Sequence, residues 1–281
     1  HMDGLEFMIL IFSGYYVAFA AMNWYRRIVK TWPSGRNKTA RYILGFLPVL
    51  SFFMILYTLK ELASFDVVGD GIYIILYLFL GFAWIFFGMR LVFKYFDLSW
   101  IDDVLENENK AALIAVTGAY LGLALIYSGA NVGDGPGWWC VVFAGGLGVI
   151  TWIIAGVVIN KYTHVFERIT VDRDIYCGIR FGSYLAASGF ILARASAGDW
   201  TSFYMTIVEF MVGWPVILLA LLAVAVERWY MSRAKTREHV YRNQLPGSIC
   251  WSVLYILAAV ISVVLFPLPE NPIYDQIPAG Y

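Results

Sequence analysis

Eight predominantly apolar stretches divide this chain, at 5–23, 42–65, 72–93, 111–129, 138–159, 175–193, 203–226 and 249–266. A helix crossing ~30 Å of hydrocarbon needs about 20 such residues, so each stretch is long enough, or nearly so, to span a bilayer. Each ends in polar or turn-forming residues, such as Val-Gly-Asp-Gly at 68–71 and Gly-Asp-Gly-Pro-Gly at 133–137. The breaks are short. They predict antiparallel helical hairpins and leave no connector room for a separate soluble domain. Composition points the same way: 60% of the residues are hydrophobic and 14% charged, against roughly 45–50% and ~25% in soluble domains. The expectation is an all-α fold, a polytopic integral membrane helical bundle of about eight transmembrane helices.

The first stretch lacks a small-residue cleavage site, and basic residues follow it where a signal peptide would carry them in front, so it is expected to be a retained helix. His1-Met2 has the look of a cloning remnant and is set aside. Cys140, Cys177 and Cys250 fall within or beside apolar stretches, where cysteine behaves as a small packing residue. No Cys/His spacing suggests a metal or cluster site, and no cofactor is implied.

The net charge is zero, which gives no reason to expect nucleic acid as a partner. Placement of the charges is informative instead. Arg26, Arg27, Lys30, Arg36, Lys38 and Arg41 follow the first stretch, Lys161, Arg168 and Arg173 follow the fifth, and Arg228, Arg233, Lys235, Arg237 and Arg242 follow the seventh. Lysine and arginine stay preferentially in the cytoplasm, so these connectors share that side. Those holding Glu61, Asp66, Asp70, Asp134 and Asp199 lie opposite, and both termini are predicted on the non-cytoplasmic side. The connector after the third stretch is cytoplasmic by alternation although acidic, since carboxylates contribute little to the rule.

The chain also resembles itself. Asn109-Lys110-Ala111-Ala112, Gly118-Ala119-Tyr120-Leu121-Gly122 and Ser128-Gly129-Ala130 align without gaps on Arg173-Asp174-Ile175-Tyr176, Gly182-Ser183-Tyr184-Leu185-Ala186 and Leu192-Ala193-Arg194. A weaker echo sets Trp84, Gly88 and Lys94-Tyr95 against Trp152, Gly156 and Lys161-Tyr162. The pattern predicts repeated two-helix hairpins of parallel topology. One transmembrane domain over 1–281 then divides into three N-terminal helices (1–100), two hairpin units (101–168 and 169–235), and a last helix with an outer tail (243–281).

The run Asp102-Asp103-Val104-Leu105-Glu106-Asn107-Glu108-Asn109-Lys110-Ala111-Ala112, followed by Gly118 and Gly122, resembles the start of a bacterial inner-membrane family labelled domain of unknown function 350. Its members pair two-helix repeats that open with Asn-x-Ala and carry spaced glycines. The resemblance covers roughly residues 100–235 and departs from the pattern at Arg173-Asp174-Ile175-Tyr176. It implies a multi-pass protein of the bacterial inner membrane without an established activity.

Ionisable residues inside apolar stretches are costly and become functional candidates by default. Arg90, Arg180, Glu209 and Glu227 form that set. Arg180 and Glu227 sit near the same end of neighbouring helices, and Arg194 and Glu209 near the other, so two ion pairs are expected to staple one hairpin. The structural interpretation is buried pairs or snorkelling side chains; the functional one is a polar cavity lined by Arg180 with Tyr184, or by Arg194 with Glu209. Gly118, Gly122, Gly145, Gly148, Gly156, Gly178 and Gly182 predict close helix packing or a gate, and Pro48 and Pro215 predict kinks. Asp102, Asp103, Glu106 and Glu108 form a cytoplasmic acidic patch that suits a solvated helix entrance, without the ligand alternation of a calcium loop. Asn107 or Asn109 is placed to cap the fourth helix.

His164 and His239 have no nucleophile or metal motif beside them, and catalysis has little support. Channel or transporter of small solutes or lipid is the first functional expectation. A non-catalytic scaffold or subunit, binding a peripheral partner through its cytoplasmic loops, is the second. Membrane lipid, further copies of the chain or another membrane subunit are the expected partners.

Overall fold

The computed structural model describes residues 2–30, 38–235 and 244–268. Helices account for nearly all of them: α1 (Gly4–Lys30), α2 (Lys38–Glu61), α3 (Phe65–Gly69), α4 (Gly71–Phe96), a π-helical segment (Trp100–Glu106), α5 (Lys110–Ala130), α6 (Trp138–Thr163), α7 (Val165–Thr170), α8 (Ile175–Ser196), α9 (Phe203–Phe210), a 3-10 turn (Met211–Gly213), α10 (Pro215–Lys235) and α11 (Leu245–Leu265). Eight of these are long and apolar enough to cross a membrane, which is compatible with an integral membrane protein. The connectors at 97–109 and 164–174, with the ends of α1 at Lys30 and of α10 at Lys235, lie at one end of the bundle, the inner end. The connectors at 62–70, 131–137 and 197–202 lie at the outer end.

Two rows of helices pack face to face. One runs α2–α5–α8–α11 and the other α1–α4–α6–α10, with α5 and α8 at the centre and most enclosed. Small residues let these two approach backbone to backbone: a Cβ added at Gly178 would come 2.7 Å from the Ala111 carbonyl oxygen, and one at Gly182 equally near that of Ile114. Aromatic indoles tie the rows together, with Trp152 Nε1 donating to the Leu185 carbonyl at 3.0 Å and Trp24 Nε1 to that of Leu44 at 2.9 Å.

The expected seventh span, 203–226, is not one helix. It is divided at Met211–Gly213, and the apolar span runs from Pro215 to Arg233. The reason is Pro215, which has no N–H to continue the ladder and so begins a helix instead of kinking one. Pro48, by contrast, lies inside α2. The α2 helix stops at Glu61 rather than 65, and α3 follows as a single short turn.

At the inner end the two connectors share their backbone geometry. Asp97 and His164 close α4 and α6 at φ of 50° and 52°, and Glu108 and Arg173 precede the next helices at 52° and 55°. Asn107 N donates to Asp102 O at 2.9 Å as Asp172 N does to Glu167 O at 3.2 Å; Asn109 N to Asp103 O and Asp174 N to Arg168 O are both 2.9 Å. Asn109 and Asp174 are the N-caps, accepting from Ala112 N and from Tyr176 N and Cys177 N. Asp174, not Arg173, therefore stands where Asn109 does, because the capping residue must offer a side-chain acceptor to the first free amides.

Candidate functional site

Buried charge collects where α7, α8 and α10 meet α11 at the inner end. Arg180 on α8 is 0% exposed and Glu227 on α10 is 3% exposed. The guanidinium donates through Nε to Glu227 Oε1 at 2.5 Å, through Nη2 to Oε2 at 2.8 Å, and through Nη1 to Ser248 Oγ at 2.7 Å. Arg168 reaches the same carboxylate, Nη1 to Oε2 at 2.7 Å, and bridges to Asp174 Oδ2 at 2.9 Å. The Tyr230 ring covers the Arg180 guanidinium, 3.9 Å from its centroid. Two cations and two carboxylates thus balance. Bidentate, fully paired geometry of this kind offsets the desolvation of buried charge, whereas one partner alone would leave the other uncompensated.

Sequence reasoning paired Arg180 with Glu227 by their level on adjacent helices. It missed Arg168, Ser248 and Tyr230, the first because it counted only as one more basic connector residue. Tyr184 lies one turn beyond Arg180, fully buried, stacked on Phe181 and edge-on to Tyr255. Neither the Tyr184 nor the Tyr255 hydroxyl has a hydrogen-bond partner among the described residues. Around Arg180 and Tyr184 the neighbours are the rings of Phe181, Tyr230 and Tyr255.

Arg194 and Glu209 do not pair among the described residues. Arg194 Nε donates to the Phe266 carbonyl at 2.5 Å and Nη2 to that of Pro267 at 3.0 Å. These carbonyls follow the end of α11 and have no helical amide to accept from, so they compete successfully for the guanidinium. Glu209 faces an outer-end cavity of about 50 Å³, lined also by Asp134, Asp199, Asn131, Cys140 and Ser196. The cavity is framed by connectors laced to each other: Gly133 N donates to Leu62 O at 3.1 Å, Gly198 N to Val132 O at 2.9 Å, and Asp134 N to Asp199 Oδ1 at 2.7 Å. Gly133 and Gly198 adopt φ of 106° and 134°, which side chains rarely tolerate.

Arg90 stands apart from both pairs, in a groove of about 220 Å³ between α1, α4 and the π-helical segment. Its guanidinium lies 5.4 Å from the Tyr16 ring centroid. Trp24 and Trp100 close the groove's inner wall, their rings 4.0 Å apart. Asp102 reaches the groove's rim; Ser99 Oγ donates to its Oδ2 at 3.0 Å. Asp103 accepts from Ser99 N at 2.8 Å, and burial pushes its carboxyl above the usual range, only partly countered by that amide. Glu106 and Glu108 are exposed at the inner end beside them.

His164 is exposed at the α6–α7 junction, and His239 lies outside the described residues. Among the described residues no group of three His, Cys, Asp or Glu side chains is arranged to hold a metal ion. Comparison with known proteins finds no matching family model, curated protein or solved structure.

Proposed function

We propose that this chain crosses the bacterial inner membrane eight times, with both termini outside, and serves as a closed, non-catalytic scaffold or binding subunit. The observation that carries this reading is the state of Arg180: it is wholly buried, and Glu227, Ser248 and Tyr230 engage its donors and its face. A permeation path would keep such a charge beside water or solute. Basic connectors at the inner end support the orientation. The matched φ angles and backbone bonds at 97–109 and 164–174 support a duplicated hairpin, and with it the resemblance to domain of unknown function 350.

In this reading the partner docks at the inner end, where Asp97, Asp102, Glu106 and Glu108 are exposed and suit a basic surface. A photoreactive residue at the exposed position 107 is expected to give one discrete adduct in membranes, lost on reversing Glu106 and Glu108 to lysine. Saturable solute flux in proteoliposomes, with no such adduct, would sink the scaffold reading. Solute handling is the second reading, favoured by the carboxylates of Asp134, Asp199 and Glu209 around the outer-end cavity; flux abolished by Glu209→Gln would move the conclusion to it.

A further inference from the structure

Three features of the groove between α1 and α4 point to one kind of ligand. Arg90 is an exposed cation on an apolar helix, and among the described residues its guanidinium has only the Tyr16 ring for company. The Tyr16 hydroxyl is buried in the same groove with no hydrogen-bond partner among those residues. Asp102 supplies a carboxylate at the rim, and no ion pair joins it to Arg90 among the described residues. A cation and an anion without ion-pair partners among the described residues, together with a free hydroxyl, leave charges of both signs open to a ligand in one groove.

Depth orders these groups. Arg90 lies about 9 Å along the helix axis from the end of α4 at Phe96, within the apolar stretch, while Asp102 belongs to the connector beyond that end. Phe19 flanks the groove on α1, about 16 Å along the axis from that helix's inner end at Lys30, and is 52% exposed, so the wall continues as apolar surface farther from the inner end than Arg90. From the middle of the bundle toward the inner end, the order is apolar surface, cation with hydroxyl donor, then carboxylate. A phospholipid with a primary amine in its headgroup has the complementary order: acyl chain, phosphate, ammonium.

We propose that the α1–α4 groove binds an aminophospholipid of the inner leaflet, its phosphate held by Arg90 and the Tyr16 hydroxyl and its ammonium by Asp102. The inference rests on the membrane reading above. A headgroup without the ammonium leaves the Asp102 carboxylate with no cation beside the bound phosphate, and a trimethylated ammonium offers that carboxylate no N–H donor. The site therefore selects phosphatidylethanolamine over phosphatidylglycerol and phosphatidylcholine.

Native mass spectrometry of the detergent-purified full chain, with each of the three lipids added in turn, tests the assignment. Phosphatidylethanolamine is expected to be retained most strongly. Arg90→Gln is expected to lower its retention by roughly tenfold, the scale of one charge-assisted contact, with Arg90→Lys recovering part of it. Asp102→Asn is expected to remove the preference among the lipids while leaving phosphate-dependent retention. Equal retention of all three by the wild type, or an Arg90→Gln variant that binds like the wild type, would overturn the site. A variant that melts below the wild type is replaced by Tyr16→Phe, which removes only the hydroxyl and is expected to weaken all three lipids alike; unchanged binding there overturns the phosphate assignment. Alkaline extraction of membranes separates the two levels of inference: release of the chain overturns both, while retention with no lipid preference overturns the groove alone.

Discussion

Gly118 on α5 faces Gly182 on α8 so closely that a Cβ at position 118 would overlap the Gly182 carbonyl oxygen. The obstacle is main chain, which cannot rotate away as a side chain does. Gly118→Ala is therefore expected to lower stability by about 3 kcal/mol, the upper range for overpacking, seen as a lower melting temperature in detergent. Gly146→Ala is the control, because nothing lies within 4 Å of its added Cβ; it is expected to melt at or slightly above the wild type. Equal melting of Gly118→Ala and wild type would mean that the two helices do not meet at this level.

The Arg180–Glu227 pair makes a second expectation, on a different physical ground. Glu227→Gln leaves Arg180 buried with no carboxylate and is expected to cost about 3–5 kcal/mol, whereas Arg180→Met leaves Glu227 its bridge to Arg168 and is expected to cost less. The double variant removes both charges and is expected to lose much less than the sum of the two. Chemical denaturation of the four proteins in one detergent checks this, and additive losses would contradict the pairing.

Asn109 works in two directions: its Oδ1 accepts from Ala112 N at 3.1 Å and its Nδ2 donates to the Ile169 carbonyl at 2.8 Å. Asn109→Asp keeps the cap and loses the donor, whereas Asn109→Ala loses both. The expected order of stability is wild type, then Asp, then Ala, with the alanine variant down by about 2 kcal/mol. Limited proteolysis across 97–109 and 164–174 reports the loosening, and an aspartate variant no more stable than alanine would argue against the cap.

Asp103 brings a pH dependence whose sign follows from its raised pKa. Burial is the leading cause, with the neighbouring Asp97 and Asp102 carboxylates adding to it, while Ser99 N and Arg173 oppose it. The folded state then binds this proton more tightly than the unfolded chain does, so the ionised form carries a stability penalty at neutral pH. That penalty is relieved as pH falls through the raised folded value and is gone below the unfolded one, roughly 3.9. Protection of the 100–109 amides from hydrogen exchange, corrected for intrinsic rates, is expected to rise over that window in the wild type and to stay flat in Asp103→Asn. A wild type that loses protection as pH falls would reverse the sign.

Much of this protein is written locally. The length of each apolar stretch and the Gly, Asp and Pro residues between them determine eight long helices and their connectors, since helix formation and helix ends depend on neighbours a few residues away. Capping of α5 by Asn107 or Asn109 is legible for the same reason, and the structure selects Asn109. Only the tertiary structure decided which distant groups meet. Arg180 and Glu227 are at one level on adjacent helices, which sequence suggests, yet Arg168 and Ser248 join them through the packing of α7 and α11. Arg194 sits at the level of Glu209 but turns to the Phe266 and Pro267 carbonyls, because α11 ends beside it and its last carbonyls lack donors. Arg90, one more charge in an apolar stretch by sequence, faces a groove that exists only because α1 packs along α4. Partner choice depends on the rotation and spacing of whole helices, and those are set by small residues such as Gly118 and Gly182 meeting across the core.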